Sequence, residues 1–295
     1  DAISYHYDVG NEFYSSWLDR RMIYSCAYFE TGKEDLDAAQ EAKLDLICRK
    51  LRLQPGERLL DIGCGWGGLI QFAAERYGVK AVGITLSQSQ ADLANQRIAA
   101  AGMADRCEAV ILDYRDVTSL PAFDKVANVG MVEHVGKAKL GDYFAAAYSA
   151  LKPGGLFLSH GITAAGRDRS ANLLDRYVFH RGAFMAKYVF PDGEVYPVGD
   201  ALSVAERAGF EVRDVESLRE HYALTLRHWV HRLESNLMDV LNVVDERTYR
   251  VWRLYMAGCS HAFKTARLSV HQSLLSKPDD RGMSHMPRTR EYLFS

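Results

Sequence analysis

The sequence predicts an α/β protein built on a seven-stranded, mostly parallel, doubly wound sheet. Three observations predict it. Short apolar runs alternate with stretches of helical period from residue 58 to residue 159, the rhythm of a parallel sheet with helices on both faces. One run, Leu59-Leu60-Asp61-Ile62, ends in a glycine series, Gly63-Cys64-Gly65-Trp66-Gly67-Gly68, that reads as a tight turn into a helix. Two further β-rich runs, Glu211–Glu216 and Leu268–Leu274, bring the strand total to seven.

Taken in order, the chain opens on Ser4-Tyr5-His6-Tyr7-Asp8-Val9-Gly10-Asn11-Glu12-Phe13-Tyr14 and continues into Tyr24-Ser25-Cys26-Ala27-Tyr28-Phe29. So many aromatics in residues 1–35 predict an arm packed over a site. Leu36, Leu44, Ile47 and Leu51 recur at helical spacing, and Pro55-Gly56 stops that helix by about Leu53. Strands are then predicted at Arg58–Ile62, Lys80–Thr85, Cys107–Leu112, Lys125–Val129 and Leu156–Ser159. Helices are predicted at Gly68–Tyr77, Ser87–Ala101 and Lys139–Leu151. From about 163 to 199 the rhythm breaks, with Arg167, Arg169, Arg176, Arg181 and Lys187 among Tyr177, Phe179, Phe184 and Tyr188, so an insertion is expected there. A helix at Asp200–Ala208, two long helices at about Tyr222–Leu241 and Glu246–Ala266, and a basic tail complete the chain. The late helices, about 220–266, are expected to cap the cleft of a main domain spanning 36–295.

In such a sheet ligands bind at the carboxyl ends of the strands, which is where the glycine series falls. A dinucleotide site prefers G-x-G-x-x-G with an acidic residue about 20 positions on. Here the spacing is Gly63-x-Gly65-x-Gly67, and the next strand ends in Thr85. A phosphate loop would need Gly-Lys-Ser/Thr, which is absent. S-adenosylmethionine (SAM) remains, its ammonium matched to Asp61. A glycine turn with no ligand is the bland alternative.

Composition narrows the function class. The 295 residues suffice for a full core, and 48% apolar with 25% charged residues is ordinary for a globular chain. A net charge of −2 and the lack of a nucleic-acid-binding motif exclude a basic nucleic-acid binder. Five cysteines, at 26, 48, 64, 107 and 259, form no C-x-x-C pair, which suits a reducing cytosol and argues against a disulfide framework or zinc site. No apolar run reaches the length of a membrane span, and no signal peptide is visible. The first residue is Asp rather than Met, so N-terminal sequence is expected upstream.

Several polar residues fall at the predicted strand ends. Ser87 and Gln90 form a capping box, and Thr85 with Gln90 could also contact a ribose or a methionine. Asp113 could meet an adenine edge and Tyr114 could stack on the ring, the alternative being a plain strand-end turn. Glu133 follows the fourth strand, and His160 closes the fifth on the ligand-facing edge. A lone histidine there is commonly a satisfied core residue. Cys26 reads more readily as buried apolar filler than as a reactive thiol, and Tyr222 could be core.

Together Tyr24-Ser25-Cys26-Ala27-Tyr28-Phe29, Leu60-Asp61-Ile62-Gly63-Cys64-Gly65-Trp66-Gly67-Gly68, Gly83-Ile84-Thr85-Leu86-Ser87-x-x-Gln90, Asp113-Tyr114-Arg115-Asp116, Val132-Glu133-His134-Val135-Gly136 and His221-Tyr222-Ala223-Leu224-Thr225-Leu226 carry a resemblance. Over nearly its whole length the chain resembles the cyclopropane-fatty-acyl-phospholipid synthases, a family that includes the mycolic acid cyclopropane synthases. The resemblance implies a class I SAM-dependent methyltransferase fold, Rossmann-like, and methyl transfer to a cis double bond of a lipid acyl chain. It implies that Tyr24, Ser25, Gly63, Gly65, Thr85, Gln90 and Tyr114 hold SAM, alongside Asp61 and Asp113. It also implies that Cys26, Glu133, His160, Ile162 and Tyr222 match the family's bicarbonate-binding positions, with no metal.

The chemistry makes sense of that set. An alkene is a weak nucleophile, so attack on a sulfonium methyl needs alignment and exclusion of water. The carbocation that follows can be stabilised by aromatic faces, with Tyr24, Tyr28 and Tyr222 as candidates. A base then removes a proton: either bicarbonate oriented by His160 and Tyr222 with Glu133 accepting its hydroxyl, or Glu133 itself. Proton loss from the new methyl closes a ring, and a hydride shift first gives a branch. Phe190-Pro191-Asp192-Gly193-Glu194 and the segment 222–234 look more like relatives that make methylene- or methyl-branched, tuberculostearic-type chains, which would call for a flavin- or NADPH-dependent reductase partner.

An acyl chain must be drawn from a bilayer, so a surface mixing basic and apolar residues is expected, with 167–188, Lys137 and Lys139 as the candidate and a solvated loop as the bland reading. The expected location is cytoplasmic, peripheral to the inner face of the membrane, and a homodimer is conceivable. The competing hypotheses are a small-molecule methyltransferase on the same scaffold and a catalytically dead lipid-binding protein.

Overall fold

The computed structural model describes residues 10–164 and 194–294. The insertion of 163–199 therefore lies outside the described residues except at its ends, as do Ser4 to Val9 of the arm.

Seven strands form one sheet: β1 Arg58–Ile62, β2 Lys80–Thr85, β3 Cys107–Ile111, β4 Phe123–Val129, β5 Leu151–Ala164, β6 Glu211–Ser217 and β7 Leu268–Ser276. Their order is β3-β2-β1-β4-β5-β7-β6, and β7 runs antiparallel to both neighbours while the pairs from β3 to β5 are parallel. The order reverses between β1 and β4, which opens a crevice beyond their carboxyl ends.

Nine α-helices are described: α1 Asn11–Ser15, α2 Leu36–Lys50, α3 Gly68–Tyr77, α4 Gln88–Ala100, α5 Leu140–Ala150, α6 Val198–Arg207, α7 Arg219–Ser235, α8 Leu237–Val243 and α9 Glu246–Lys264. Helices α2 to α4 cover one face of the sheet through Leu44, Ile47, Ile70, Phe72, Ala94 and Ile98. Helices α5 and α6 cover the other through Leu140, Phe144, Ala147 and Ala205. A third cluster joins Phe13, Tyr14 and Trp17 of the arm to Leu226 and Trp229 of α7 and Trp252 and Met256 of α9.

Three predicted boundaries move and one cap is made differently, each for an identifiable reason. Helix α2 starts under its Asp35 cap, which accepts the Ala38 amide, but stops at Lys50 rather than near Leu53. Arg52 turns left-handed (φ 53) and the Leu53 amide bonds back to the Cys48 carbonyl at 3.1 Å, a Schellman closure that acts before Pro55 is reached. Strand β5 runs from Leu151 to Ala164, far beyond Leu156–Ser159, because β7 pairs with it through nine residues. The single helix expected over Tyr222–Leu241 is two helices, α7 and α8. Asn236 leaves the helical conformation, and its side chain donates to the Ser16 carbonyl at 2.5 Å, tying the break to the end of α1. The capping box is half made. Ser87 accepts the Gln90 amide, but the Gln90 side chain accepts from Thr85 Oγ1 at 2.9 Å instead of reaching back to Ser87.

Candidate active site

The site begins with the glycine turn. Gly63 has φ +85, and a Cβ there would stand 2.9 Å from Met131 Cβ, so only glycine lets the β1 and β4 ends approach this closely. Trp66 is pinned by Asn11, whose Oδ1 accepts from Nε1 at 2.8 Å, and its ring lies 4.9 Å from that of Tyr14. The arm thus packs directly on the turn.

A cavity at this crevice is lined by Tyr24, Ser25, Lys43, Asp61, Gly63, Gly65, Gln90 and Gly130, among others. Two opposite charges face it. Asp61 is 3% exposed, Oδ1 has no hydrogen-bond partner, and burial raises its pKa to about 7 despite the nearby Lys43. Lys43 is 1% exposed, donates to Ser25 Oγ at 2.9 Å, and burial lowers its pKa to about 8. Among the described residues no ion pair joins them, and no other hydrogen bond satisfies the Lys43 ammonium. An α-amino acid end, ammonium toward Asp61 and carboxylate toward Lys43 and Ser25, has the charges this slot lacks. Lys43 was missed by sequence reasoning. A lysine next to Leu44, one of the periodic apolar residues of α2, looks solvent-facing, and only the fold shows it inside.

The remaining expected cofactor residues lie apart from that lining. Thr85 is buried and bound to Gln90. Both Asp113 carboxylate oxygens are held by Arg115, at 2.9 Å from Nε and 2.7 Å from Nη2, so Asp113 reaches an adenine edge only by sharing an oxygen with Arg115. Tyr114 is half-buried with its ring 5.4 Å edge-on to Tyr143, behind the end of β3.

Glu133 sits on a short 3-10 turn, Val132–His134, after β4. Its Oε1 accepts the Ile162 amide at 2.7 Å, while Oε2 is buried without a partner. Ile162 thereby holds the carboxylate in place. Burial raises the Glu133 pKa to about 7, against the lowering effect of the Ile162 amide. Gly161 makes room for this: a Cβ there would meet Val132 Cγ1 at 2.3 Å and Glu133 Cδ at 3.8 Å.

His160 pairs across the sheet with Val129 and Gln272. It is 1% exposed, and burial together with Lys43, Lys50 and His271 keeps its pKa well below the ordinary value, so the ring is neutral. Nδ1 lies 3.2 Å from Gln272 Nε2, and Nε2 is buried without a partner. The site therefore ends with one unsatisfied carboxylate oxygen, on the turn after β4 and tied to the Ile162 amide, and one unsatisfied imidazole nitrogen two residues before Ile162 on β5.

Cys26 is buried, its thiol donating to the Ala27 carbonyl at 3.2 Å, and burial pushes the thiol far up, which removes thiolate chemistry. Tyr222 is buried with its ring 4.6 Å from Phe263 and 6.0 Å from Trp229, and the neighbouring Tyr24, Cys26 and Glu133 add to the burial that raises its pKa. Tyr24 sits among aromatic rings, 5.2 Å from Trp229, 5.5 Å from Trp17 and 5.6 Å from Tyr14, with Tyr255 Oη 3.4 Å from its own. Tyr28 does not join them, since one face is stacked on His221 at 4.7 Å. The tryptophans escaped sequence reasoning because they come from three separate segments.

This sheet order, with the antiparallel seventh strand between the fifth and sixth and an acidic residue closing β1 before the glycine turn, is that of the class I SAM-dependent methyltransferases. The profile of the family described as mycolic acid cyclopropane synthetase matches residues 1–273, and the chain belongs to that family. It is 49% identical over its full length to a probable fatty acid methyltransferase of Pseudomonas putida, of which it spans 73%. It is 35% identical over 94% of its length to the cyclopropane-fatty-acyl-phospholipid synthase of Escherichia coli K12, of which it spans 68%. Among solved structures, the cyclopropane synthase MmaA2 of Mycobacterium tuberculosis superposes with a TM-score of 0.88 at 31% identity, covering 93% of this chain and 96% of that one. The mycolic acid cyclopropane synthase CmaA1, complexed with SAH and CTAB, superposes at 0.87 with 32% identity, covering 93% and 96%. The protein is a SAM-dependent methyltransferase.

Proposed function

We propose that this protein transfers the methyl group of SAM to a cis double bond in an acyl chain of a membrane phospholipid, and that bicarbonate bound between Glu133 and His160 serves as the base. The observation that carries the reading is the pair of unsatisfied polar atoms, Glu133 Oε2 and His160 Nε2, beside an aromatic enclosure. Bicarbonate has one hydroxyl to donate and oxygens to accept, which matches an acceptor carboxylate and a donor imidazole.

SAM supplies the methyl as an electrophilic sulfonium. The slot of Asp61, Lys43 and Ser25 would hold its amino acid end, and the Gly63–Gly65 turn would let it lie against the backbone. Tyr24, with Trp17, Trp229 and Tyr14 around it, excludes water and offers ring faces to the cation formed when the alkene attacks, each contact worth about 0.5–2 kcal/mol in a desolvated site. Bicarbonate, when bound, accepts the proton lost from the product cation. Glu133 would accept the hydroxyl of that anion, and the neutral His160 would donate to it from Nε2. With the Ile162 amide holding Oε1, Glu133 keeps one fixed oxygen for this task.

The lipid substrate, a peripheral membrane location, a reductase partner and a dimer rest on family likeness and on the mixed basic and aromatic composition of 167–188. No described helix is long and apolar enough to cross a membrane. Lys137, part of the expected lipid-facing patch, is exposed, with an ion pair to Asp200 at 2.8 Å and its amide held by Glu194.

The test is fatty acid analysis of a host that supplies cis-monounsaturated chains, with and without the protein. A gain of one CH2 unit is expected, and ozonolysis then separates a resistant ring from a cleavable methylene branch. Fatty acids unchanged in the presence of SAM-binding protein would overturn the acyl substrate in favour of a small soluble one.

A further inference from the structure

His160 is useful to an anion only if Nε2 carries its proton. In a neutral imidazole the proton can reside on either nitrogen, and the hydrogen bond at one fixes the other. The partner at Nδ1 is the amide of Gln272, and an amide can present either its oxygen or its NH2 group. What decides is one step further out. Lys50 Nζ lies 2.7 Å from Gln272 Oε1, and an ammonium only donates. Gln272 must therefore turn its oxygen to Lys50 and its NH2 to His160 Nδ1, which accepts at 3.2 Å. The proton is left on Nε2.

The two groups behind His160 are internal. Gln272 is 1% exposed, Lys50 is 1% exposed, and Lys50 is anchored in turn by an ion pair to the half-buried Glu216. These groups come from three distant segments, α2, β6 and β7, that meet only in the fold. A lysine buried at the end of α2 is costly unless paired, and an apolar residue would fill the same space more cheaply.

We propose that Gln272, oriented by Lys50, is a positioning residue that locks His160 as the Nε2–H tautomer and so aims a hydrogen-bond donor at the anion site. Its catalytic consequence rests on the bicarbonate reading above, whereas the tautomer itself does not. Lys43, Lys50 and His271 surround the ring with positive charge or further imidazole, which disfavours the imidazolium and leaves the tautomer as the quantity to be set.

The experiment is nitrogen-15 NMR of histidine-labelled protein, with His160 assigned by its absence in His160→Asn, combined with steady-state rates against bicarbonate and SAH affinity. Wild type should show protonated Nε2 and bare Nδ1. Gln272→Glu is isosteric and keeps a partner for Lys50, but its carboxylate accepts at Nδ1 and moves a proton there. Lys50→Met frees the amide to turn and should give a mixture of tautomers. Both should raise the bicarbonate concentration for half-activation and lower the saturated rate by about tenfold or more, with SAH affinity unchanged. A wild-type His160 protonated on Nδ1, or a tautomer unmoved in both variants, would overturn the proposal. A tautomer that moves while bicarbonate activation stays the same would overturn its catalytic part. Wild type insensitive to bicarbonate in degassed buffer would instead remove the anion reading, and the NMR result would still decide the positioning role.

Discussion

Asp61 and Lys43 bring opposite charges into one cavity and leave both short of partners, and that imbalance is a statement about the ligand. Holding Asp61 in a site where its pKa is about 7 rather than 3.8 costs about 4 kcal/mol relative to water. An ammonium beside it recovers much of that and pulls its pKa back down, so the complex binds fewer protons than the free protein. SAH affinity should therefore rise as pH increases up to about 7, and fall again above about 8 as Lys43 loses the charge that meets the carboxylate. Calorimetric titration from pH 5.5 to 8.5 checks this, and Asp61→Asn should weaken binding and flatten the rise. A profile already flat in the wild type would show that Asp61 does not meet the ammonium. Glu133 obeys the same electrostatics with a different consequence. It must be ionised to accept a hydroxyl proton, so turnover at saturating SAM should also climb through about pH 7. Glu133→Gln should keep SAH affinity and lose about 100-fold or more in turnover, and an unchanged rate would take Glu133 out of the mechanism. Asp61, Glu133 and His160 were all legible in the sequence because strand ends are where a doubly wound sheet gathers polar groups. Lys43, Lys50 and Gln272 were not, since whether a polar residue on an element faces in or out depends on what packs against it.

At the scale of elements, the site is held by the meeting of β5 with the turn after β4. Gly161 is what lets them meet. Gly161→Ala would drive a methyl to within 2.3 Å of Val132 Cγ1, so the turn carrying Glu133 has to move. Turnover should fall by about tenfold or more while SAH binding, which depends on β1 and α2, stays within about twofold. Equal losses in both would mean that the damage spreads through the sheet. Helices and strands with a clean period were readable to the residue, as Gly68–Tyr77 and Lys80–Thr85 illustrate. Boundaries set by tertiary contacts were not. The length of β5 depends on its pairing with β7, and the α7–α8 break depends on Asn236 reaching Ser16.

For the whole molecule, strand number and the position of the ligand edge were legible, because alternation of period is local. The strand order, with β7 inserted antiparallel between β5 and β6, is a long-range outcome that no window of sequence contains. The aromatic enclosure has the same origin: Trp17, Trp229 and Trp252 converge from the arm, α7 and α9. A site closed by aromatic rings, with charged groups buried at the amino acid slot and at the base, suits a long apolar substrate reacting through a cation. The most direct measurement is a reaction of purified protein with SAM labelled in its methyl group and vesicles of a phospholipid carrying cis-monounsaturated chains, followed by mass spectrometry of the released fatty acids. The account predicts label in the acyl chain at the former double bond, with one CH2 unit gained. Label confined to the headgroup or to a soluble acceptor, with the acyl chains unaltered, would contradict it.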